Sequence, residues 1–267
     1  MHRNLIYLTS RDLSQAFELV VPVGGTHFCG RGLPLGFASV IAEGFAAAIA
    51  EANDGFYLPV VPYSPGDGVG HLPGSICPEP SGFLAYIDAV VDQAIINEFR
   101  RVVLILDGPE GYVVSGECFE RNDHPILVVG FASLMSHEDV AGPLAPGWAK
   151  QIDVFLGALG LLGRAEQVQA AIARLRTLER AESPGVSQGQ FELLRRGLVD
   201  AYRRDATRSR MNAEVRFDAA AGQAYIRAVA GKLAGPLGEL GRYVRFVRNR
   251  PTFKKNRWGG YGWRGAE

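Results

Sequence analysis

Two side chains able to do nucleophilic chemistry stand two residues apart in the glycine-rich run Gly24-Gly25-Thr26-His27-Phe28-Cys29-Gly30. On an extended segment an i, i+2 pair points to the same side, so His27 could lie beside Cys29. An imidazole next to a thiol favours the thiolate, which attacks carbonyl carbon. The plainer reading makes Cys29 a small space-filling hydrophobe and has His27 bonded to backbone. His71 sits in a second glycine-rich stretch, where it could contact a ligand or simply be solvated. Asp107 directly follows an apolar run. A carboxylate there could orient an imidazole or accept from a substrate N–H, or else close an Asx turn with Gly108. Glu110, behind Pro109, is a further carboxylate within reach of the same region. His27, Cys29, His71 and Asp107 are ligand types that suit zinc, but their spacing follows no established zinc pattern. Gly66-Asp67-Gly68-Val69-Gly70 lacks the strand-to-helix junction that a phosphate loop needs. Cys77 and Cys118 have no chemical neighbours in sequence and read as structural.

These residues need elements to hold them. Leu19–Val23, Val102–Leu106 and Ile126–Val129 are short, nearly continuous apolar runs of the kind that parallel sheets bury on both faces. Tyr57–Pro62 reads as an edge strand tolerant of proline. Ala38–Asn53 and Phe83–Phe99 have helical spacing and crossover length, so strands alternate with helices. The fold class expected is α/β: three layers, a mostly parallel sheet with helices on both faces. Ligands of such folds gather at the carboxyl ends of the strands. That places the site among residues 24–36, 63–76 and 107–112.

Beyond about residue 145 the pattern turns helical. Trp148–Leu162, Ala165–Arg180, Gln188–Arg204 and Ala219–Val244 are expected helices, the second with an apolar stripe of Ala165, Val168, Ile172, Leu175 and Leu178. Pro184-Gly185 separates two of them. The chain is read as one α/β domain over 1–267, with a helical elaboration over about 148–210 and a basic aromatic tail from about 245. Basic residues from Arg242 to Arg264 interleave there with Tyr243, Phe246, Phe253, Trp258, Tyr261 and Trp263.

Charge narrows the partners. Lys+Arg and Asp+Glu both number 28, so no global field attracts nucleic acid. Residues 1–140 nevertheless hold 6 basic and 17 acidic side chains, and residues 141–267 hold 22 and 11. Mutual neutralisation of the two halves, within or between subunits, is the simplest account. The tail is therefore expected on a neighbouring acidic subunit surface rather than on single-stranded nucleic acid, the alternative for such a composition. Three cysteines are too few for a disulfide scaffold and point to a reducing compartment. With neither a signal peptide nor a membrane span in sight, the expected location is the cytoplasm.

The run Pro22–Gly36 resembles the signature of the creatininase family, Pro-Val-Gly-Ser-x-Glu-x-His-Gly-Pro-His-Leu-Pro-Leu-Gly-Thr-Asp. Its glycines and Leu33-Pro34-Leu35-Gly36 agree in spacing across fifteen positions. Pro62-Tyr63, then Leu72-Pro73-Gly74-Ser75-Ile76, are similar to Pro-Tyr-Gly and His-x-x-Phe-Pro-Gly-Thr-Ile. Val102–Leu106 with Asp107-Gly108 looks like the strand leading to Asn-Gly-His-Gly-Gly-Asn. Ala219-Ala220-Ala221-Gly222 resembles the opening of the last helix. Residues 150–215 are unmatched.

The resemblance implies an amidohydrolase fold built to open small cyclic amides with two divalent ions, chemistry that needs several N/O ligands and an ionised water. It also implies that the ligands have changed. His27 stands for the first Glu, Cys29 for the first His, Gly32 for the second His and Ala38 for the closing Asp. Val69 and Pro109 replace two further histidines, and the later His-Ala-Gly is at best Ala145-Pro146-Gly147. The expectation is a metal-independent creatininase-like protein without a cofactor, acting on a small cyclic amide or related C–N compound, and a homo-oligomer. Cys29, His27 and Asp107 would be its catalytic residues, and His71, Tyr63, Ser75 and Glu110 its substrate contacts. The alternative is a non-catalytic binding or regulatory subunit.

Overall fold

A computed structural model of the full chain describes residues 3–13, 18–29, 33–65, 70, 72–97, 99, 101–106, 126–130, 134–135, 148–179, 217–248, 253–255 and 261–263. Four strands form a parallel sheet: β1 (Glu18–Pro22), β2 (Phe56–Tyr57), β3 (Arg101–Leu106) and β4 (Ile126–Gly130), in the order β2-β1-β3-β4. Helix α1 (Phe37–Ala52) links β1 to β2, and α2 (Pro80–Ile96) links β2 to β3. Further along lie α3 (Trp148–Leu161), α4 (Ala165–Glu179) and α5 (Ala219–Arg248).

Strand periodicity divides the core in two. Val20, Val103, Ile105 and Val129 face one apolar cluster, shared with α1, α3, α4 and α5. Leu19, Val21, Val23, Val102, Leu104, Leu106 and Ile126 face the other, shared with Phe83, Ile87, Val91 and Ala94 of α2. This is the three-layer α/β architecture expected from the apolar runs. Every residue of β1 is buried because helices cover both of its faces.

The edge strand is shorter than expected. β2 pairs with β1 only at Leu19↔Phe56 and Val20↔Tyr57, and contact resumes at the Val23↔Val61 bridge. Tyr57 N–H donates to Arg3 O, away from β1, and Pro59 shares that outer side, so its missing N–H costs the β1 ladder no bond. The segment still follows β1 through Leu58 N–H to Val20 O (2.9 Å) and Val61 N–H to Pro22 O (2.9 Å). Helix α2 begins three residues earlier than expected, since Pro80 is well placed in a first turn. In the α4 stripe Val168 and Leu175 are buried, whereas Ala165 is exposed. The tail contains an unexpected antiparallel pair, β5 (Phe253–Lys255) with β6 (Tyr261–Trp263). The expected helix Gln188–Arg204 lies outside the described residues.

Helices α1, α3 and α5 approach closely at small residues. A Cβ on Gly44 would come 2.5 Å from Ala158 Cβ, and one on Gly222 would collide with the Asp153 carbonyl. Phe37 and Phe155 stack with centroids 4.9 Å apart. The buried Asp153 carboxylate accepts from Asp218 N–H (2.8 Å), and Asp218 Oδ1 caps Ala221 N–H (2.9 Å), fixing the start of α5.

At the amino ends of the strands, Glu18 lies opposite Arg101 in register, with a 3.2 Å ion pair between them. The Glu18 side chain is fully buried, and Arg101 also donates to Leu237 O (2.6 Å) in α5. Burial pushes the Glu18 carboxyl up to about 7, the Arg101 guanidinium opposing it only in part. A raised carboxyl pKa means that the folded state holds a proton the unfolded state has released. Stability from this group is thus full below about 4.5 and is lost as pH rises toward 7. Removing the charge with Glu18→Gln is expected to abolish this component, a slope of up to ~1.4 kcal/mol per pH unit. Denaturant melts of both proteins from pH 4 to 8 check it: their stability difference should grow in the variant's favour across that window. A flat difference would refute the assignment.

Candidate active site

The strand order reverses between β1 and β3, because α1 carries the chain to one side of β1 and α2 returns it to the other. Crevices form at such points, at the carboxyl ends of the strands. Val23 N–H donates to Ile105 O (2.7 Å), holding the exit of β1 against β3. Gly24 N–H then donates to Val61 O (3.0 Å), tying it to the segment after β2.

Thr26 joins three loops. Its hydroxyl donates to Pro62 O (2.8 Å), its carbonyl accepts from Ile76 N–H (2.8 Å), and it forms an antiparallel bridge with Ile76. Next along, His27 N–H donates to Leu35 O (3.0 Å) and Phe28 N–H donates to Ser75 Oγ (3.0 Å). Ser39 Oγ, in the first turn of α1, donates to Gly25 O (3.0 Å). Residues 24–29, 33–36, 60–65 and 72–76 therefore form one hydrogen-bonded unit.

The two glycines have separate tasks. A Cβ on Gly24 would lie 2.3 Å from Ser39 Cα, so the loop meets the backbone of α1 without room for a methyl group. A Cβ on Gly25 would lie 2.1 Å from His27 Nδ1 and 2.2 Å from its Cε1: the imidazole is folded back over the chain. The same point is 3.3 Å from Ser64 Oγ, so imidazole and hydroxyl flank one spot. Ser64 is only 2% exposed. Ser64 is not among the candidates named from sequence, although its place beside Pro62-Tyr63 in a loop at the strand ends is a visible signal.

Cys29 has different surroundings. Its thiol is 7% exposed and belongs to the apolar cluster with Leu33 and Phe37. The chain bends at His27 rather than running extended. Ser75 has its oxygen on Phe28 N–H and so positions the first loop. Tyr63 is 44% exposed. His71, Asp107 and Glu110 lie outside the described residues, as does Cys118.

The donor set does not suit the dinuclear centre that the sequence resemblance implies. Ala38 is buried in the first turn of α1 and offers a methyl group, and Cys29 is packed in hydrocarbon. Gly32, Val69 and Pro109 have no ligating side chain. No group of three or more His, Cys, Asp or Glu able to hold a metal ion occurs among the described residues. Nor, among them, is any helix long and apolar enough to cross a membrane.

Gly24→Ala is expected to cost on the order of 3 kcal/mol, since helix backbone cannot yield as a side chain can. Gly25→Ala should cost less but displace the His27 ring, because its clash is with a side chain that can rotate. Thermal melts and the His27 Cε1–H NMR resonance check this pair. An unmoved resonance in Gly25→Ala would refute the packing described.

Residues 8–107 match the family model for creatininase (creatinine amidohydrolase). Similar solved structures include a tryptophan-to-alanine mutant creatininase, 14% identical with TM-score 0.58, covering 90% of this chain and 99% of the other. A protein of Bacteroides fragilis NCTC 9343 assigned as a creatinine amidohydrolase is 16% identical with TM-score 0.57, over 91% and 98%. A mutant creatininase of Zn–Zn type is 14% identical with TM-score 0.54, over 90% and 98%. Comparison with curated proteins returns no match. The chain is a creatininase-fold protein whose residues 8–107 carry the creatininase family's sequence pattern.

Proposed function

We propose that this chain uses the creatininase pocket to recognise a small cyclic amide or related C–N compound without metal, with His27 as its main polar contact. The observation that carries this reading is a paired replacement. The family pattern has Glu where this chain has His27 and Ser where it has Gly25, and the His27 ring lies where a Cβ on residue 25 would be. Mere decay of a metal site leaves no reason for the second change. A pocket reshaped around an imidazole requires it. With Nδ1 buried beside Gly25, a neutral imidazole has Nε2 left for a ligand, as donor to a cyclic amide's C=O or as acceptor from its N–H.

Burial of Cys29 among Leu33 and Phe37 supports a packing role, and with it recognition rather than a cysteine-centred reaction. A second reading, turnover with His27 as acid–base group, is favoured by the Ser64 hydroxyl held beside the ring. Asp107, His71 and Glu110 would be its carboxylate and imidazole partners. Either reading does without a metal pair, which the residues at Cys29, Gly32, Ala38, Val69 and Pro109 favour.

Three measurements test the proposal. Elemental analysis of purified protein should find no stoichiometric zinc or manganese, and EDTA should leave the melting temperature unchanged; one or two bound equivalents would refute metal independence. Iodoacetamide should alkylate Cys29 more slowly than the half-exposed Cys77 at pH 7. Rapid labelling of Cys29 that slows in His27→Ala would instead restore the nucleophile and overturn the recognition reading. The basic aromatic tail is proposed to contact a neighbouring subunit, so truncation at Asn249 should lower the mass seen by light scattering. Unchanged mass with lost single-stranded DNA binding would reverse that assignment.

A further inference from the structure

Leu35, Tyr63 and Ile76 are large apolar residues left 37%, 44% and 55% exposed. They stand on the three loops that the Thr26 and His27 backbone joins. Leu35 O accepts from His27 N–H, Ile76 N–H donates to Thr26 O, and Tyr63 follows the carbonyl of Pro62 that holds the Thr26 hydroxyl. Leu35 also reaches the third loop directly, since a Cβ on Gly74 would meet its Cδ1 at 2.6 Å. Hydrogen bonds hold these loops together beside the His27 backbone, so the three residues stand near one another as an apolar rim.

Charge says what such a rim accepts. Residues 23–29, 33–36, 58–65 and 72–78 contain no Asp, Glu, Lys or Arg. Of the hydroxyls in this region, Thr26 is spent on Pro62 O, Ser39 on Gly25 O, and Ser75 accepts from Phe28 N–H. The described wall is thus uncharged, with a small polar centre at His27 and Ser64 and hydrocarbon around it. Pockets of this build bury an apolar body and orient it through a few polar groups.

Resting on the proposed recognition of a cyclic amide at His27, we infer that the ligand carries an uncharged apolar or aromatic substituent that lies on Leu35, Tyr63 and Ile76. A bare small polar ring would leave this hydrocarbon in water. An apolar substituent removes it from water and adds roughly 25 cal/mol for each Å² covered. The ligand is therefore larger and more apolar than an unsubstituted cyclic amide.

Calorimetric titration of the full chain with hydantoin and with 5-benzylhydantoin tests this. The benzyl compound should bind at least tenfold more tightly, and Leu35→Ser with Ile76→Ser should remove most of that advantage while leaving hydantoin affinity within twofold. Both positions are exposed, so the fold should tolerate the change; far-ultraviolet circular dichroism checks it. Equal affinity for the two compounds, each weakened by His27→Ala, would overturn the rim inference and leave the recognition reading standing. Benzyl-dependent binding indifferent to His27→Ala would keep the rim and overturn recognition at His27. If the double variant instead lowers the mass by light scattering and binds both compounds unchanged, the rim is a contact between copies of this chain and the inference fails.

Discussion

The close contact between Gly24 and Ser39 sets the geometry on which the rest of the site depends. Because residue 24 has no side chain, the loop leaving β1 lies directly on the first turn of α1. Ser39 then fixes the next carbonyl, Gly25 O, with its hydroxyl. From that anchored start Thr26 reaches Pro62 and Ile76, and the following two backbone N–H groups reach Leu35 and Ser75. Three segments far apart in sequence thereby become one rigid wall. A methyl group at residue 24 would separate the loop from the helix and loosen every bond built on it.

Around this frame the chain separates scaffold from chemistry. The glycines and the Leu33-Pro34-Leu35-Gly36 run hold backbone geometry, which any occupant of the site needs. Side chains at the positions where the resembling family pattern has ligands are under no such constraint, and here they include imidazole, thiol and methyl groups. The exchange is coordinated where it can be seen. His27 needs the space of a missing Cβ at residue 25, and Cys29 has the size and polarity to join Leu33 and Phe37 in the core. On the proposed reading such an arrangement favours neutral ligands, because the described wall carries no formal charge and a low-dielectric surface penalises ions.

At the other end of the sheet a buried ion pair links the sheet to α5. Glu18 gains little from Arg101, because desolvation of its carboxylate outweighs the attraction. Arg101 meanwhile holds the Leu237 carbonyl, so the sheet and the C-terminal helix meet through one guanidinium. Neither residue stands out in sequence. A Glu ahead of an apolar run and an Arg ahead of another look like ordinary strand flanks until parallel register sets them opposite each other.

Much of the architecture was legible in the chain because it is encoded locally. The unbroken apolar runs of β1, β3 and β4 require cover on both faces, and the helical stretches between them supply it. The Gly-Gly pair and Leu-Pro-Leu-Gly likewise marked where the site would lie. What sequence alone could not determine is where each side chain goes within that site, because this depends on contacts between distant segments. The two-residue spacing of His27 and Cys29 gave no sign of the bend at His27, of the imidazole folding back over Gly25, or of Cys29 joining the core cluster. Ser75, a substrate-contact candidate in sequence, also braces the Phe28 N–H through its oxygen. Leu35, Tyr63 and Ile76 became a rim only once Thr26 had drawn their loops together. Periodicity reports which faces are buried; only tertiary hydrogen bonds decide which residues meet.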